Sequence, residues 1–391
     1  MRDRYFVRYP FEKWKAEGAS AQIRWSSKVF APRLSVHQRL VTRIDMQLDV
    51  KETVKRRSRG EMVAFIEITD SEGRLWRSHD TFDLSRIPAE AKAQPILYSQ
   101  SVFLRPGEYR LALAVCDSET LEHSFVTRAV HIAPLHNDPL RDAWRDLPAV
   151  EFTRNFDVPD SWFQPSVRGR LYLPLATARP VHIDLVMNMS ASDRVAGSVR
   201  VFRRNMSVLV PVLKLLSGIA VRDGTLDVTV LDLARQTGWE QTGAHGLDWG
   251  KMREPLADTN PGVIDAQSLG GKAAMLQFFR DRVVGKVTAV HEREPLRIVI
   301  VLSAPLFLEN QFKAGGALPR DPNRRIFYVR CRSLRVLPDG ATGGQVLAPA
   351  IASDDLEHVV KSLDGRILDV ITPEQFRRAL AGILLEVSRM S

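Results

Sequence analysis

The sequence predicts a multidomain chain, with an N-terminal all-β sandwich of immunoglobulin type followed by a C-terminal α/β doubly wound, Rossmann-like domain. Three observations predict it. The 391 residues exceed one typical core, and about 150 residues per domain suggests two units. From Val36 to Ile132 apolar and polar residues alternate with period two, broken by turn signals. From Val181 onward the rhythm becomes strand, helix, strand, as a sheet with crossover helices requires. The expected boundaries are a lead segment 1–33, the sandwich 34–133, a linker 134–170 and the α/β domain 171–391.

In the sandwich the alternation places strands at Val36–Val50, Glu61–Thr69, Arg74–Asp83, Ile96–Phe103, Glu108–Cys116 and Ser124–Ile132. Asp70-Ser71-Glu72-Gly73 and Arg105-Pro106-Gly107 supply turn chemistry between them. The stretch after Ala133 is rich in Pro, Asp, Asn and Trp without a sustained period, and so reads as the linker. Its Trp144 and Trp162 imply that it packs on something.

In the second half, Val181–Met187 is a near-continuous apolar run, suited to a strand buried on both faces. A helix is expected over Ser198–Ser217, a strand over Leu226–Leu233, a helix over Lys272–Val284, and strands at Leu296–Leu302 and Arg325–Arg330. A helix near Asp354–Ser362, a strand Arg366–Val370 and a closing helix Pro373–Ser388 follow. Thr372, Pro373 and Gln375 form an N-terminal capping signature for the last of these.

Composition narrows the function classes. The apolar share of 45% with 26% charged residues is that of a folded chain rather than a disordered one. The net charge of +9 is concentrated in residues 1–60, where 15 Lys and Arg face 6 Asp and Glu, and that segment ends in Lys55-Arg56-Arg57-Ser58-Arg59. Such a run reads first as a solvated loop between strands and second as a nucleic-acid or anionic-membrane patch. Cys116 and Cys331 sit singly in apolar strands, which points to buried thiols. The longest apolar stretch, Met206–Val221, holds Pro211 and Lys214 and is too short for a membrane span, so no transmembrane segment is expected. The first residues lack the apolar core of a secretory signal, so the chain as written is expected to be cytoplasmic unless its start is trimmed.

In an open sheet, ligands bind beyond the carboxyl ends of the strands. The loop leaving the Val181–Met187 strand reads Asn188-Met189-Ser190-Ala191-Ser192. It resembles the metal-ion-dependent adhesion site of von Willebrand factor A domains, whose first motif is Asp-x-Ser-x-Ser. The order of elements from Leu171 and the closing run Thr372–Leu384 extend the resemblance. It is most similar to the subset with an N-terminal β-sandwich found in acidobacterial genomes, whose members are commonly exported. The resemblance implies Asn188, Ser190 and Ser192 as ion ligands, with Ser268 nearest to the family's loop threonine. Two departures matter. Asn188 replaces the opening aspartate, and Ser303-Ala304-Pro305 stands where another aspartate is usual. Mg²⁺ needs octahedral oxygen ligation with carboxylates, so no cofactor is expected, or at most weakly held Mg²⁺. The rival role for Asn188, Ser190 and Ser192 is capping of the following turn.

Other constellations are weaker. His182 and Asp184 share one face of their strand but not its carboxyl end, and are expected to face a helix or solvent. No nucleophile elbow or phosphate loop is present in the sequence. The long aperiodic segment Ala234–Leu269 carries Trp239, His245 and Trp249 between glycines, and with Ser303 these form the expected partner-binding set, hanging over the strand ends. The expected function is therefore non-enzymatic protein binding. The alternatives are weak divalent-metal-dependent adhesion, and binding of nucleic acid or anionic membrane by residues 55–59.

Overall fold

The computed structural model describes residues 3–56, 61–86, 95–153, 168–190, 199–248, 250–252, 271–289, 295–307, 318–332 and 354–390. The chain divides into two compact units. One comprises residues 1–35, 39–138 and 147–155, the other residues 36–38, 139–146 and 156–391.

The first unit runs α1 (Asp3–Arg8), α2 (Phe11–Glu17), β1 (Ser20–Ala21), β2 (Trp25–Val29), β3 (Arg33–Leu34), β4 (Leu40–Leu48), α3 (Val50–Arg56), β5 (Glu61–Asp70), β6 (Leu75–Asp83), β7 (Ile96–Leu104), β8 (Gly107–Asp117), β9 (His123–Ile132) and β10 (Val150–Phe152). Two antiparallel sheets result, one ordered β1-β9-β8-β5-β6 and the other β10-β7-β4-β2 with β3 also on β4. All six strands expected from the alternation are present, with ends shifted by a few residues. The lead segment is part of the fold. Phe6, Tyr9, Phe11 and Trp14 of α1 and α2 pack against Val63, Phe65, Ala112, Ala114, Cys116 and Phe125 of β5, β8 and β9. That lid is why β5 is apolar without interruption over Met62–Ile66, since both its faces are buried. The expected linker also contributes structure, because β10 pairs with β7.

Within the basic run at 55–59, Arg56 is turned into the fold. Arg56 is buried, its Nε 2.9 Å from Glu52 Oε2 and its Nη1 2.8 Å from Asp117 Oδ2, with Nη2 on Glu122. Residues 57–59 lie outside the described residues. A buried guanidinium in three ion pairs is satisfied within the fold. Burial alone would push the Asp117 carboxyl up, but the Thr120 N–H, the Arg56 guanidinium and the Glu119 N–H outweigh it and hold it below the usual range. A carboxylate lowered by folding stabilises fully above its unfolded pKa of about 3.9, and the contribution is lost as pH falls through the lower folded value. The stability advantage of wild type over Asp117→Asn, measured by urea unfolding, should therefore shrink steadily from about pH 5 to about pH 2. A constant difference across that range would contradict the assignment.

The second unit runs β11 (Leu173–Leu175), β12 (Val181–Asn188), α4 (Val199–Leu216), β13 (Ile219–Val221), β14 (Gly224–Asp232), β15 (Thr237–Gln241), α5 (Lys272–Thr288), β16 (Leu296–Ser303), β17 (Arg324–Cys331), α6 (Asp355–Ser362), β18 (Arg366–Val370) and α7 (Pro373–Ser388). Its main sheet has the order β15-β14-β12-β16-β17-β18, and β11 pairs with β13 in a separate two-stranded sheet. Helices α5 and α6 bury Met275, Leu276, Phe279, Val283, Leu356, Val359 and Val360 against Val186, Leu231, Val299, Val301 and Tyr328. Helix α7 starts at the expected capping box, with the Thr372 side chain accepting from Gln375 N and the Gln375 side chain accepting from the cap backbone. Trp144, from the stretch read as linker, is buried in this unit, donating to Gln38 O at 2.7 Å beneath the Arg377 guanidinium.

The predicted fold class needs correction. Strands hold 41% of the described residues against 28% in helices, spread over several antiparallel and mixed sheets, and the arrangement is mainly β rather than an immunoglobulin-like sandwich joined to a doubly wound, Rossmann-like domain. Two local features underlie the difference. Helices α1 to α3 enter the unit expected to be all-β, each too short for its periodicity to be seen. In the second unit only Leu233–Gln236 separates β14 from β15, with Gln236 in the left-handed region at φ 52°. A parallel neighbour needs a crossover of a dozen or more residues, so the chain turns back and β15 pairs antiparallel, making the sheet mixed.

Candidate functional site

Of the side chains expected to bind, Asn188 and Ser190 lie at and just beyond the carboxyl end of β12, and Ser303 at that of β16. Asn188 closes β12 and is buried. Its Oδ1 accepts from Ser190 N at 2.9 Å and its Nδ2 donates to Ser303 Oγ at 3.0 Å, while Ser303 donates to Ala304 O. Ser190 Oγ accepts from Leu233 N at 2.7 Å and lies 3.4 Å from Asp232 Oδ1. The amide thus ties the first turn beyond β12 to the end of β16 through side-chain hydrogen bonds. Ser303, expected to touch a partner, is fully buried and is instead a strut beneath the rim. Ser192 and Ser268 lie outside the described residues. The sequence reading missed Asp232, a carboxylate at this rim, because it was read as the interior of a strand running on to Leu233.

Behind Ser303 sits a buried charge cluster. Arg330 of β17 places Nη1 3.1 Å from Asp354 Oδ2 and also on Glu357, while its Nε and Nη2 meet Asp369 at 2.6 and 2.9 Å. Asp354 is the N-cap of α6 and accepts from Glu357 N at 2.8 Å. Burial pushes the Asp354 carboxyl up against the pull of the Glu357 N–H and Arg330. Burial, with the Asp354 charge adding to it, likewise raises the Tyr328 phenol well above its usual value. Three elements, β17, α6 and β18, are tied together here.

The expected partner-binding residues do not converge. Trp239 is half-buried on the edge strand β15, opposite Val230 and near the carboxyl-end rim, where Thr237 pairs with Asp232. His245 is exposed, but its segment returns to the other end of β14, as Ala244 N donates to Leu226 O and Gly243 N to Asp227 Oδ1. It therefore does not hang over the old adhesion site. Trp249 lies outside the described residues.

At the amino ends of β12 and β14, facing α5, is a cluster that the sequence offered only as two residues expected to face a helix or solvent. His182 Nε2 is 3.1 Å from Asp184 Oδ2 and 3.8 Å from Asp227 Oδ2. The parallel register sets Asp184 beside Asp227 and His182 beside Thr225. Lys286, near the end of α5, bridges Asp184 Oδ1 at 3.3 Å and Glu240 of β15. Although burial opposes its charge, Glu240 and Asp184 hold the Lys286 ammonium above its usual pKa. His182, Asp184 and Asp227 each present one ligand atom, and the three atoms lie within 4.8 Å of one another. A pairing rule for adjacent parallel strands was the signal that would have found Asp227.

Both cysteines are buried, and burial raises each thiol to about 12, so neither is an accessible thiolate. Among the described residues, no helix is long and apolar enough to cross a membrane.

No family model and no curated protein matches the chain. Among solved structures it is similar to the ApaA protein from Bordetella pertussis, at 18% identity over 28% of this chain and 89% of that one, with a TM-score of 0.17. A glycosyl hydrolase family 2 member from Bacteroides cellulosilyticus aligns at 10% identity over 78% of this chain and 40% of its own, with a TM-score of 0.21. A family 123 glycoside hydrolase from Clostridium perfringens aligns at 7% identity over 88% and 72%, also with a TM-score of 0.21. Scores this low carry no inference about fold or activity.

Proposed function

We propose that the chain is a non-enzymatic binding protein that engages a protein partner through the carboxyl-end rim and the β15 edge of its six-stranded sheet, with no ion at Asn188 and Ser190. The observation that carries this reading is the Asn188 side chain, whose oxygen holds Ser190 N and whose nitrogen holds Ser303 Oγ. A loop that resembles the adhesion site is kept in shape by hydrogen bonds where the family it resembles would use a metal. Trp239, half-buried on β15 at the edge of the sheet among the described residues, supplies an aromatic anchor on an edge strand, a combination suited to partner capture. A second reading, weak metal-dependent adhesion, is favoured by Asp232, which sets one carboxylate 3.4 Å from Ser190 Oγ.

Retention of a partner on the immobilised chain separates the two. The metal-free reading expects retention in chelator, lost in Trp239→Ala and in Ser190→Arg. Retention that requires Mg²⁺, together with a Mg²⁺-induced rise in melting temperature that Ser190→Ala abolishes, would favour the second reading and overturn the first. Retention insensitive to both substitutions would overturn both.

A further inference from the structure

The amino-end cluster of the second unit differs from an ordinary ion pair in how its atoms are held. His182 Nδ1 lies 2.6 Å from Thr225 Oγ1, which leaves Nε2 turned to the two aspartates. Asp227 Oδ1 accepts from Gly243 N at 2.9 Å, leaving Oδ2 on the His182 side. Asp184 Oδ1 faces Lys286, leaving Oδ2 on the same side. Each of the three side chains is thus anchored through its outer atom, and the inner atoms converge. Metal ligands are oriented in just this way, with a hydroxyl, backbone or charged partner fixing the atom that does not bind.

The spacing fits a particular class of ion. Bonds of about 2.0–2.2 Å in a tetrahedron place neighbouring ligand atoms about 3.3 Å apart. The observed separations of 3.1 and 3.8 Å from His182 Nε2 bracket that value. One imidazole nitrogen and two carboxylate oxygens suit Zn²⁺ better than the all-oxygen octahedron that Mg²⁺ demands.

Charge and hydrogen bonding point the same way. With a neutral imidazole, Asp184, Asp227 and Glu240 against Lys286 leave two negative charges, and Asp184 is only 2% exposed. A divalent cation would neutralise the excess where water cannot. Among the described residues, the buried Thr229 hydroxyl has no hydrogen-bond partner, and it lies on this face of β14, two residues on from Asp227. Buried polar atoms left this way mark an unfilled polar site.

We infer that His182, Asp184 and Asp227 form a Zn²⁺-type site with three protein ligands, its fourth position open to water on the side of half-buried Asp227. Its ligands His182 and Asp184 stand six and four residues up β12 from Asn188, roughly 20 and 13 Å away at about 3.3 Å per residue, so the site is separate from the adhesion-type loop.

The test is equilibrium binding of Zn²⁺ to the chelator-treated full chain, with Co²⁺ as a spectroscopic stand-in. Wild type and Ser190→Ala are expected to bind one Zn²⁺ per chain and to give the intense visible absorption of tetrahedral Co²⁺. Asp227→Asn and His182→Gln should each weaken binding at least tenfold and lose that absorption. Asp227→Asn keeps the volume and the Gly243 N–H contact at a half-buried position, so it remains readable by far-UV circular dichroism if His182→Gln does not fold. Absence of Zn²⁺ binding in wild type, or equal affinity in folded Asp227→Asn, would overturn the site.

Discussion

Arg330→Ala should destabilise the second unit by about 3–5 kcal/mol, the range for removing one partner of a buried ion pair. The Arg330 side chain is 5% exposed and that of Asp354 is fully buried, and the substitution would take from Asp354 its Arg330 partner and leave Glu357, among the described residues, with Lys361. Tyr328, 3.3 Å from Asp354 Oδ2, cannot replace a guanidinium because it brings no charge. Denaturant unfolding would measure the loss. Adding Asp354→Asn should recover part of it, since an asparagine still caps α6 but no longer carries a buried charge. A loss below about 1 kcal/mol, or no recovery in the double variant, would show that solvent screens the cluster as it screens a surface pair.

Phe11→Ala should cost the first unit about 3–5 kcal/mol, as for other buried phenylalanines. Phe11 is fully buried, with its ring centroid 4.8 Å from Phe6, 5.6 Å from Phe65 and 5.8 Å from Phe125. Helices of six and seven residues are not stable alone, so α1 and α2 hold their shape only through such contacts. Hydrogen exchange should therefore show α1 and α2 losing protection in the variant before the β5–β8 pair does. Unchanged protection in the two helices would contradict the claim that the aromatic cluster docks them.

Much of the element pattern was legible. The strands β4 to β9 follow from period-two alternation, β12 and β16 from continuous apolar runs, and α7 from the Thr372–Gln375 capping box, because each rests on neighbours a few residues apart. The fold class was not legible to the same depth. A four-residue turn reversed β15, and short helices carried no period to read. The site divided in the same way. The loop after β12 was found from its motif, but whether Asn188 faced an ion or Ser303 depended on a contact 115 residues away.

By itself the sequence determined where most of the longer strands and helices lie, that both thiols sit in apolar strands, and that the loop 188–192 carries hydroxyls and an amide in place of an opening carboxylate. Tertiary structure decided that Arg56 is buried among carboxylates, that Ser303 is a strut, and that His182, Asp184 and Asp227 meet. The reason is physical. Local propensity and periodicity act over one or two turns of chain, whereas charge pairing and ligand convergence depend on strand register, which joins residues dozens of positions apart.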